Sequence, residues 1–271
     1  MPNFLFHNKG NGSFEEVGLI AGVALLDHGK AVASMGTDFR DYDNDGWPDI
    51  GVTALFRETF PLFRNTGNGS FRDATYSSKL GALTAPHSGW GNGFFDFNND
   101  GWKDLFSANS HVNDRVELFE PTQYKARNAL FENSGNGSFR TVEAGFDPVR
   151  AHRGSAFADF NGDGRIDIAV SALGEPAELW QNASAGDNHW LMVKLRGSKS
   201  NRDGIGARLR IGKQWNVMTS AVGYASSSHS GVHFGLGTVT KVDQLEILWP
   251  SGKRQTVRDI AADQVIEVRE P

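Results

Sequence analysis

One phrase recurs three times in this 271-residue chain: LFHNKGNGSF at residues 5–14, LFRNTGNGSF at 62–71 and LFENSGNGSF at 130–139. A fourth copy, LWQN at 179–182, has lost its GNGSF tail, so the array ends near Ala185. A second unit alternates with the first: DYDNDGWPD at 41–49, DFNNDGWKD at 96–104 and DFNGDGRID at 159–167, each with a glycine five residues upstream at Gly36, Gly91 and Gly154. Self-similarity of this kind marks a stack of equivalent supersecondary units. Each unit reads as a strand such as GTDFRD, an acidic loop, the strands IGVTAL and PLFRN, and a GNGS turn whose Asn-Gly pair suits the positive φ angles of a tight hairpin. Four short antiparallel strands make a propeller blade. The acidic loops start 55 and 63 residues apart, so loops are inserted between blades and within the second, most of all over residues 109–128. From Asn188 the pattern changes to strand-like runs such as WLMVKLR, GARLRIG and DQLEILW between polar turns. The fold class is therefore all-β: a partial or small β-propeller-type repeat array over residues 1–185, then a compact β domain over 186–271. The 32 glycines, about 12 percent of the chain against the usual ~7, agree with many turns and short strands.

The acidic loops carry chemistry. In D-x-[DN]-x-D-G-x-x-D, oxygens at alternate positions converge on one centre, the glycine permits the sharp bend, and oxygen-only donors suit calcium rather than zinc or copper. The first site is Asp41, Asp43, Asp45 and Asp49 with the Trp47 carbonyl; the second is Asp96, Asn98, Asp100 and Asp104 with the Trp102 carbonyl; the third is Asp159, Asn161, Asp163 and Asp167 with the Arg165 carbonyl. An EF-hand would place Glu at loop position twelve, where Val52, Ser107 and Val170 stand inside apolar runs, so these loops join strands. Three Ca²⁺ ions are expected, bracing blades rather than switching anything. Three divalent cations would more than offset the net charge of −5. At a Kd of ~10 μM and ~1 mM calcium, each site would contribute roughly 2.7 kcal/mol to stability.

Other function classes fall away. With no cysteine there is no disulfide framework, thiolate metal site or thiol nucleophile. A net charge of −5 and a pI of about 5.9 give no basic field for nucleic acid. No apolar run reaches 18 residues, and MPNFLFHNKG holds no signal-type segment. The chain contains no GxSxG, HExxH or P-loop, and GNGFFD and GIGARL fail the dinucleotide fingerprint at its last glycine and read as turns. His229 and His233 sit close in SSSHSGVHFG, which suits a strand and turn better than zinc without a third ligand. The rings of Trp47 and Trp102, on a rigid rim, are expected to pack between neighbouring blades, the alternative being contact with a glycan or protein. Sequons at Asn11, Asn68, Asn136 and Asn182 do not establish glycosylation, since three belong to the GNGS turn.

The acidic loops with their GNGSF turns resemble the FG-GAP/VCBS propeller repeats of integrin α-subunit heads, over roughly residues 1–185. The remainder, with NHWLMVKLRG, SNRDGIGARLRI, GYASSSHSGVHFGLG and LEILWPSGK, resembles the ASPIC/UnbV domain of the cartilage acidic protein-like family. The resemblance implies a calcium-binding protein, extracellular or periplasmic, with adhesion or matrix roles in animals. His111, in ANSHVND, matches a stretch common in that family and is the candidate ligand contact. Three acidic loops are fewer than a propeller's usual four to eight blades, so the chain is expected to be part of something larger, to close with its first strand pair, or to self-associate through open blade edges. The leading expectation is a calcium-stabilised binding or adhesion module presenting loops, especially 109–128, to a protein or carbohydrate. The alternatives are a non-hydrolytic tailoring or cyclising enzyme, with a pocket between array and C-terminal domain, and a purely structural part of a larger secreted protein.

Overall fold

The computed structural model describes every residue except 229 and 230. It is mostly β, in several small and largely antiparallel sheets. The opening phrase forms a hairpin, β1 (Phe6–Asn8) and β2 (Phe14–Glu16), followed by one helical turn, α1 (Gly18–Ala21). This hairpin is a separate two-stranded sheet, so it does not complete the third blade.

Blade one is the meander β3 (Thr37–Arg40), β4 (Asp49–Val52), β5 (Leu62–Asn65) and β6 (Phe71–Asp73). After a short helix, α2 (Leu80–Thr84), blade two repeats the meander with β7 (Gly89–Phe95), β8 (Asp104–Asn109), β9 (Ala129–Asn133) and β10 (Phe139–Val142). The 109–128 insertion falls between β8 and β9 and holds a 3₁₀ turn at Val116–Leu118. Blade three has three strands, β11 (His152–Ala158), β12 (Asp167–Ala172) and β13 (Glu175–Trp180), since the missing GNGSF tail leaves nothing to turn back as a fourth. The glycines of the three GNGS turns all have φ between 72° and 85°, a region that costs other L-residues strain.

The innermost strands β3, β7 and β11 lie side by side, and glycines let them approach. A Cβ at Gly91 would come within 2.7 Å of the Arg153 carbonyl oxygen on β11, one at Gly93 within 2.2 Å of the Phe157 ring, and one at Gly51, on the neighbouring β4, within 2.4 Å of the Phe94 ring. GNGFF is thus an inner strand and not a turn, because its glycines are needed for contact between blades. Phe39 holds the position equivalent to Phe94 and Phe157 but packs on no neighbouring blade among the described residues, and is 46% exposed.

The remaining strands are β14 (His189–Arg196), β15 (Arg208–Ile211), β16 (Gln214–Val217), β17 (Ala221–Val222), β18 (Ser226–Ser227), β19 (Val232–Gly237), β20 (Lys241–Leu248), β21 (Arg254–Ala261) and β22 (Gln264–Arg269). Sheet β19-β14-β22, in which β14 and β22 run parallel, faces sheet β16-β15-β20-β21 across a core containing Leu209, Leu245, Ile247 and Trp249. Strand β14 serves two cores through its period of two. Leu191, Val193 and Leu195 enter this one, while Trp190 and Met192 join Phe95, Phe106, Phe157 and Ile168 beneath blades two and three. The β17–β18 hairpin then wedges against the inner strands: Ser226 Oγ accepts the Ser155 N–H at 3.1 Å and Ser228 Oγ that of Phe157 at 2.9 Å. Between blade one and this C-terminal part runs a cleft of about 860 Å³, lined largely by apolar residues such as Phe4, Phe39, Ile50, Phe63, Met218 and Val222. No helix among the described residues is long and apolar enough to cross a membrane.

Candidate functional site

Each inner strand ends in an acidic loop, and the three loops are folded by the same hydrogen bonds. The first aspartate caps the bend: Asp41 Oδ2 accepts the Gly46 N–H at 2.8 Å, Asp96 Oδ2 that of Gly101 at 2.7 Å, and Asp159 Oδ2 that of Gly164 at 2.9 Å. Asp43, Asn98 and Asn161 each accept from the residue two further on, Asp45, Asp100 and Asp163. Those three in turn accept the N–H groups of Trp47, Trp102 and Arg165 at 2.8–2.9 Å. The last aspartate ties the loop to the third strand of its blade. Asp49, Asp104 and Asp167 accept the N–H of Asn65, Asn133 and Asn182, each at 2.7 Å. Their second oxygens accept from Tyr42, Phe97 and Phe160 inside the loop.

These asparagines are functional residues that motif reading passed over, although LF-x-N or LW-x-N recurs in every repeat. Asn133 donates to the carbonyls of Tyr42 at 2.9 Å and Lys103 at 3.1 Å, latching blade two to the first loop. Asn182 does the same with Phe97 at 2.7 Å and Ile166 at 3.2 Å. Its amide nitrogen is thereby spent within the fold, which is incompatible with carrying a glycan. The loops also interlock directly: Asn44 donates to the Gly101 carbonyl at 3.0 Å and Asn99 to the Gly164 carbonyl at 3.3 Å. His233 contacts the same Gly164 carbonyl through Nε2 at 3.1 Å. Burial holds its imidazole at a pKa of about 4, hence neutral and donating, so this histidine is used by the fold. His229 lies outside the described residues.

Carboxylate oxygens of Asp41, Asp43 and Asp49 lie within 4.8 Å of one another. Burial, the largest influence on each, raises the carboxyls of Asp41 to about 6 and Asp49 to about 8. It likewise raises Asp96 to about 7 and Asp104 well above the usual range. Crowded, desolvated carboxylates need positive charge. Part comes from buried Lys103, which lies beside Asp41 and Asp96 and donates to the Trp215 carbonyl at 3.1 Å. In loop one a hard divalent cation fits the remainder, since the converging Asp41, Asp43 and Asp49 donors are all oxygen. Loops two and three have Asn98 and Asn161 in place of Asp43, so the all-carboxylate triplet is found in loop one among the described residues.

The other sequence candidates fall as follows. The Trp47 and Trp102 rings lie over the first turn glycine of their own blade, not between blades: a Cβ at Gly67 would meet Trp47 Nε1 at 2.7 Å, and one at Gly135 would meet Trp102 Nε1 at 2.8 Å. Trp47 remains 45% exposed. His111 is buried; its N–H donates to the Tyr124 carbonyl at 2.8 Å and its Nδ1 accepts from the Asn113 N–H at 3.1 Å. It holds the 109–128 loop from within.

That loop carries Tyr124 to the face opposite the acidic loops, where β7 and β11 begin. There Arg153 stacks on Trp90 at 4.1 Å and lies 5.9 Å from the Tyr124 ring, while Tyr224 from the β17–β18 turn meets Trp90 edge-on at 4.9 Å. Arg153 donates to the Ser110 hydroxyl, to the His152 carbonyl at 2.8 Å and to the Tyr124 hydroxyl at 3.4 Å. All four side chains are half-buried.

Family models match both parts of the molecule: an FG-GAP-like repeat over residues 41–107 and again over 96–170, and ASPIC and UnbV over 197–271. The chain carries FG-GAP-like repeats followed by an ASPIC and UnbV domain. It is similar over almost its whole length to cartilage acidic protein 1 of Mus musculus, 27% identical over 99% of this chain and 41% of the relative. The Xenopus tropicalis protein is 28% identical over 98% of this chain and 40% of its own length, and the Homo sapiens protein 26% over 99% and 40%. The chain thus spans about two fifths of these curated relatives. Among solved structures, an Agrocybe aegerita lectin that recognises non-reducing terminal N-acetylglucosamine matches at a TM-score of 0.35 and 17% identity, over 67% of this chain and 47% of its own. The FG-GAP matches begin and end on the acidic loops or the strands that follow them, and the ASPIC and UnbV match begins just after β14.

Proposed function

We propose that this chain is a calcium-stabilised binding module, extracellular or periplasmic, in which three cation-braced loops fix the blades and the opposite face meets a protein or carbohydrate ligand. The observation that carries it is the Trp90, Tyr124, Arg153 and Tyr224 cluster. Three separate segments, β7, the 109–128 insertion and the C-terminal hairpin, bring half-buried aromatic rings around one arginine. Aromatic faces and an arginine are the groups most enriched where proteins bind partners. Calcium at all three loops is supported by the backbone hydrogen bonds they share and by their all-oxygen donors. Weak sites of this type fill where calcium is abundant, which is the support for an extracytoplasmic place and for a part in adhesion.

An enzyme is less well supported. The cleft between blade one and the C-terminal domain is mostly apolar, and its charged lining residues, Asp38 and Arg40, are paired to each other at 3.0 Å. The test is binding of the calcium-loaded chain to glycan and matrix-protein arrays, beside a Tyr124→Ala variant whose melting temperature is checked. A ligand captured by the native chain and lost at least tenfold in the variant is expected. Capture that is insensitive to Tyr124 and Arg153 substitutions would overturn the assigned face.

A further inference from the structure

We infer that the three acidic loops are unequal cation sites: Arg64 is a built-in counter-cation for loop one, so loop two takes calcium first and loop one only when Arg64 is displaced. This rests on the calcium reading above. The residue before the latching asparagine sits beside the acidic loop of its own blade, and it is Arg64 in blade one, Glu132 in blade two and Gln181 in blade three. Arg64 Nη2 donates to Asp45 Oδ2 at 2.8 Å, and its Nε donates to Asp43. Both carboxylates belong to the oxygen set a cation would need. The Arg64 side chain is 44% exposed, so it can swing into water at little desolvation cost.

At the same place Glu132 adds a carboxylate, most of it buried, whose charge bears on Asp100. Its partner Arg140 reaches it from solvent. Loop three has the neutral Gln181, and its Arg165 guanidinium stands 3.6 Å from Asp163. Lys103 lies between loops one and two and is shared by both, so it does not distinguish them. Loop one's four carboxylates less the guanidinium bonded to two of them leave three negative charges. Loop two's three carboxylates and Glu132 make four, with the solvent-exposed Arg140 bonded to Glu132 and not to a ligand, so the local balance favours loop two. Charge count tunes affinity in oxygen-donor calcium sites, and a guanidinium bonded to two of the ligands competes for the same lone pairs.

The test is calorimetric titration of the full chain with calcium chloride at low ionic strength, with thermal melts in chelator and in calcium. Native protein should bind in unequal steps. Arg64→Gln should tighten the loop-one step about tenfold and leave the tightest unchanged, an effect that shrinks with salt. Asp45→Asn should abolish that loop-one step, which is weaker than loop two's, and Asp100→Asn the tightest. In melts Arg64→Gln should lower stability in chelator, where the arginine braces the loop, and enlarge the rise produced by calcium. A purely structural arginine would lower both melts alike, and that result, or three equal steps untouched by Arg64→Gln, overturns the inference while leaving calcium binding intact. No heat and no calcium-dependent melt in the native chain would overturn both readings.

Discussion

Asp49, Asp104 and Asp167 show how one residue type does two jobs. Each carboxylate pins a loop to a strand through backbone N–H groups, and each is also a candidate cation ligand. At Asp49 and Asp104, without metal, the first job leaves a desolvated carboxyl, which has a pH signature. A carboxyl raised in the folded state keeps its proton there when the unfolded chain has released it, so the folded state binds more protons over that interval. Chelated protein should therefore lose stability as pH rises from about 4 towards the folded values of about 6 for Asp41, 7 for Asp96 and 8 for Asp49. Calcium demands the deprotonated form, so in millimolar calcium the slope should flatten or turn upward over the same range. Urea unfolding at pH 5, 6.5 and 8 in both conditions measures this, and a flat profile in chelator would refute it. The latching asparagine gives a sharper case. Asn133→Ala removes two donated bonds and the one its Oδ1 accepts from the Gly135 N–H at 3.0 Å, at a fully buried position. A loss of about 3 kcal/mol is expected, read from the urea midpoint with m unchanged. The aspartates were legible because spacing and donor chemistry announce them. Asn133 and Arg64 were not, because their partners are 30 to 91 and 19 to 21 residues away and only the folded blade brings them together.

At the scale of elements, the meander was readable from turn chemistry, while the packing between blades was hidden by glycine. GNGFF has too little side chain to announce a strand, yet in β7 Gly93 exists to receive the Phe157 ring. The repeats make paired tests possible. Gly135 and Gly137 both hold positive φ, at 72° and 81°, but only at Gly135 would a Cβ strike the Trp102 ring, whereas nothing lies within 4 Å of one at Gly137. Gly137→Ala should cost about 1 kcal/mol of backbone strain and Gly135→Ala 2 kcal/mol or more, with quenching or shift of tryptophan emission in the second alone. Equal costs would show that the tryptophan yields freely. The same logic separates the inter-blade aromatics. Phe94 is 5% exposed and Phe157 8%, against 46% for Phe39. Alanine at either of the first two should cost about 3–5 kcal/mol, and at Phe39 less than half of that, by denaturant unfolding. Periodicity alone treats the three as one residue; a neighbouring blade is what makes two of them core.

For the whole molecule, the least legible feature was how the two parts share material. A change of pattern near residue 186 reads as a boundary, but β14 alternates its side chains between two cores. Trp190 also covers the third loop so closely that a Cβ at Gly164 would fall within 1.8 Å of its ring. The parallel pairing of β14 with β22, more than 70 residues on, has no local signature at all. A chain cut at residue 185 keeps every acidic loop yet loses Trp190, Met192 and Val222 from the core beneath blades two and three. It also loses the hairpin that satisfies the Ser155 and Phe157 N–H groups. Each removed apolar side chain forfeits about 1.5–3 kcal/mol of burial, a large share of a domain's net stability. Residues 1–185 alone should therefore melt broadly, show weak near-ultraviolet dichroism and bind a hydrophobic dye even in calcium, while the full chain melts in a sharp transition. Residues 186–271 carry a complete core of their own in Leu191, Leu209, Ile247 and their neighbours and should fold, with Trp190 newly exposed and its emission shifted to the red. If instead 1–185 folds cooperatively in calcium with native near-ultraviolet dichroism, the loops rather than the shared strand hold the array together, and the C-terminal part is a neighbour instead of a keystone.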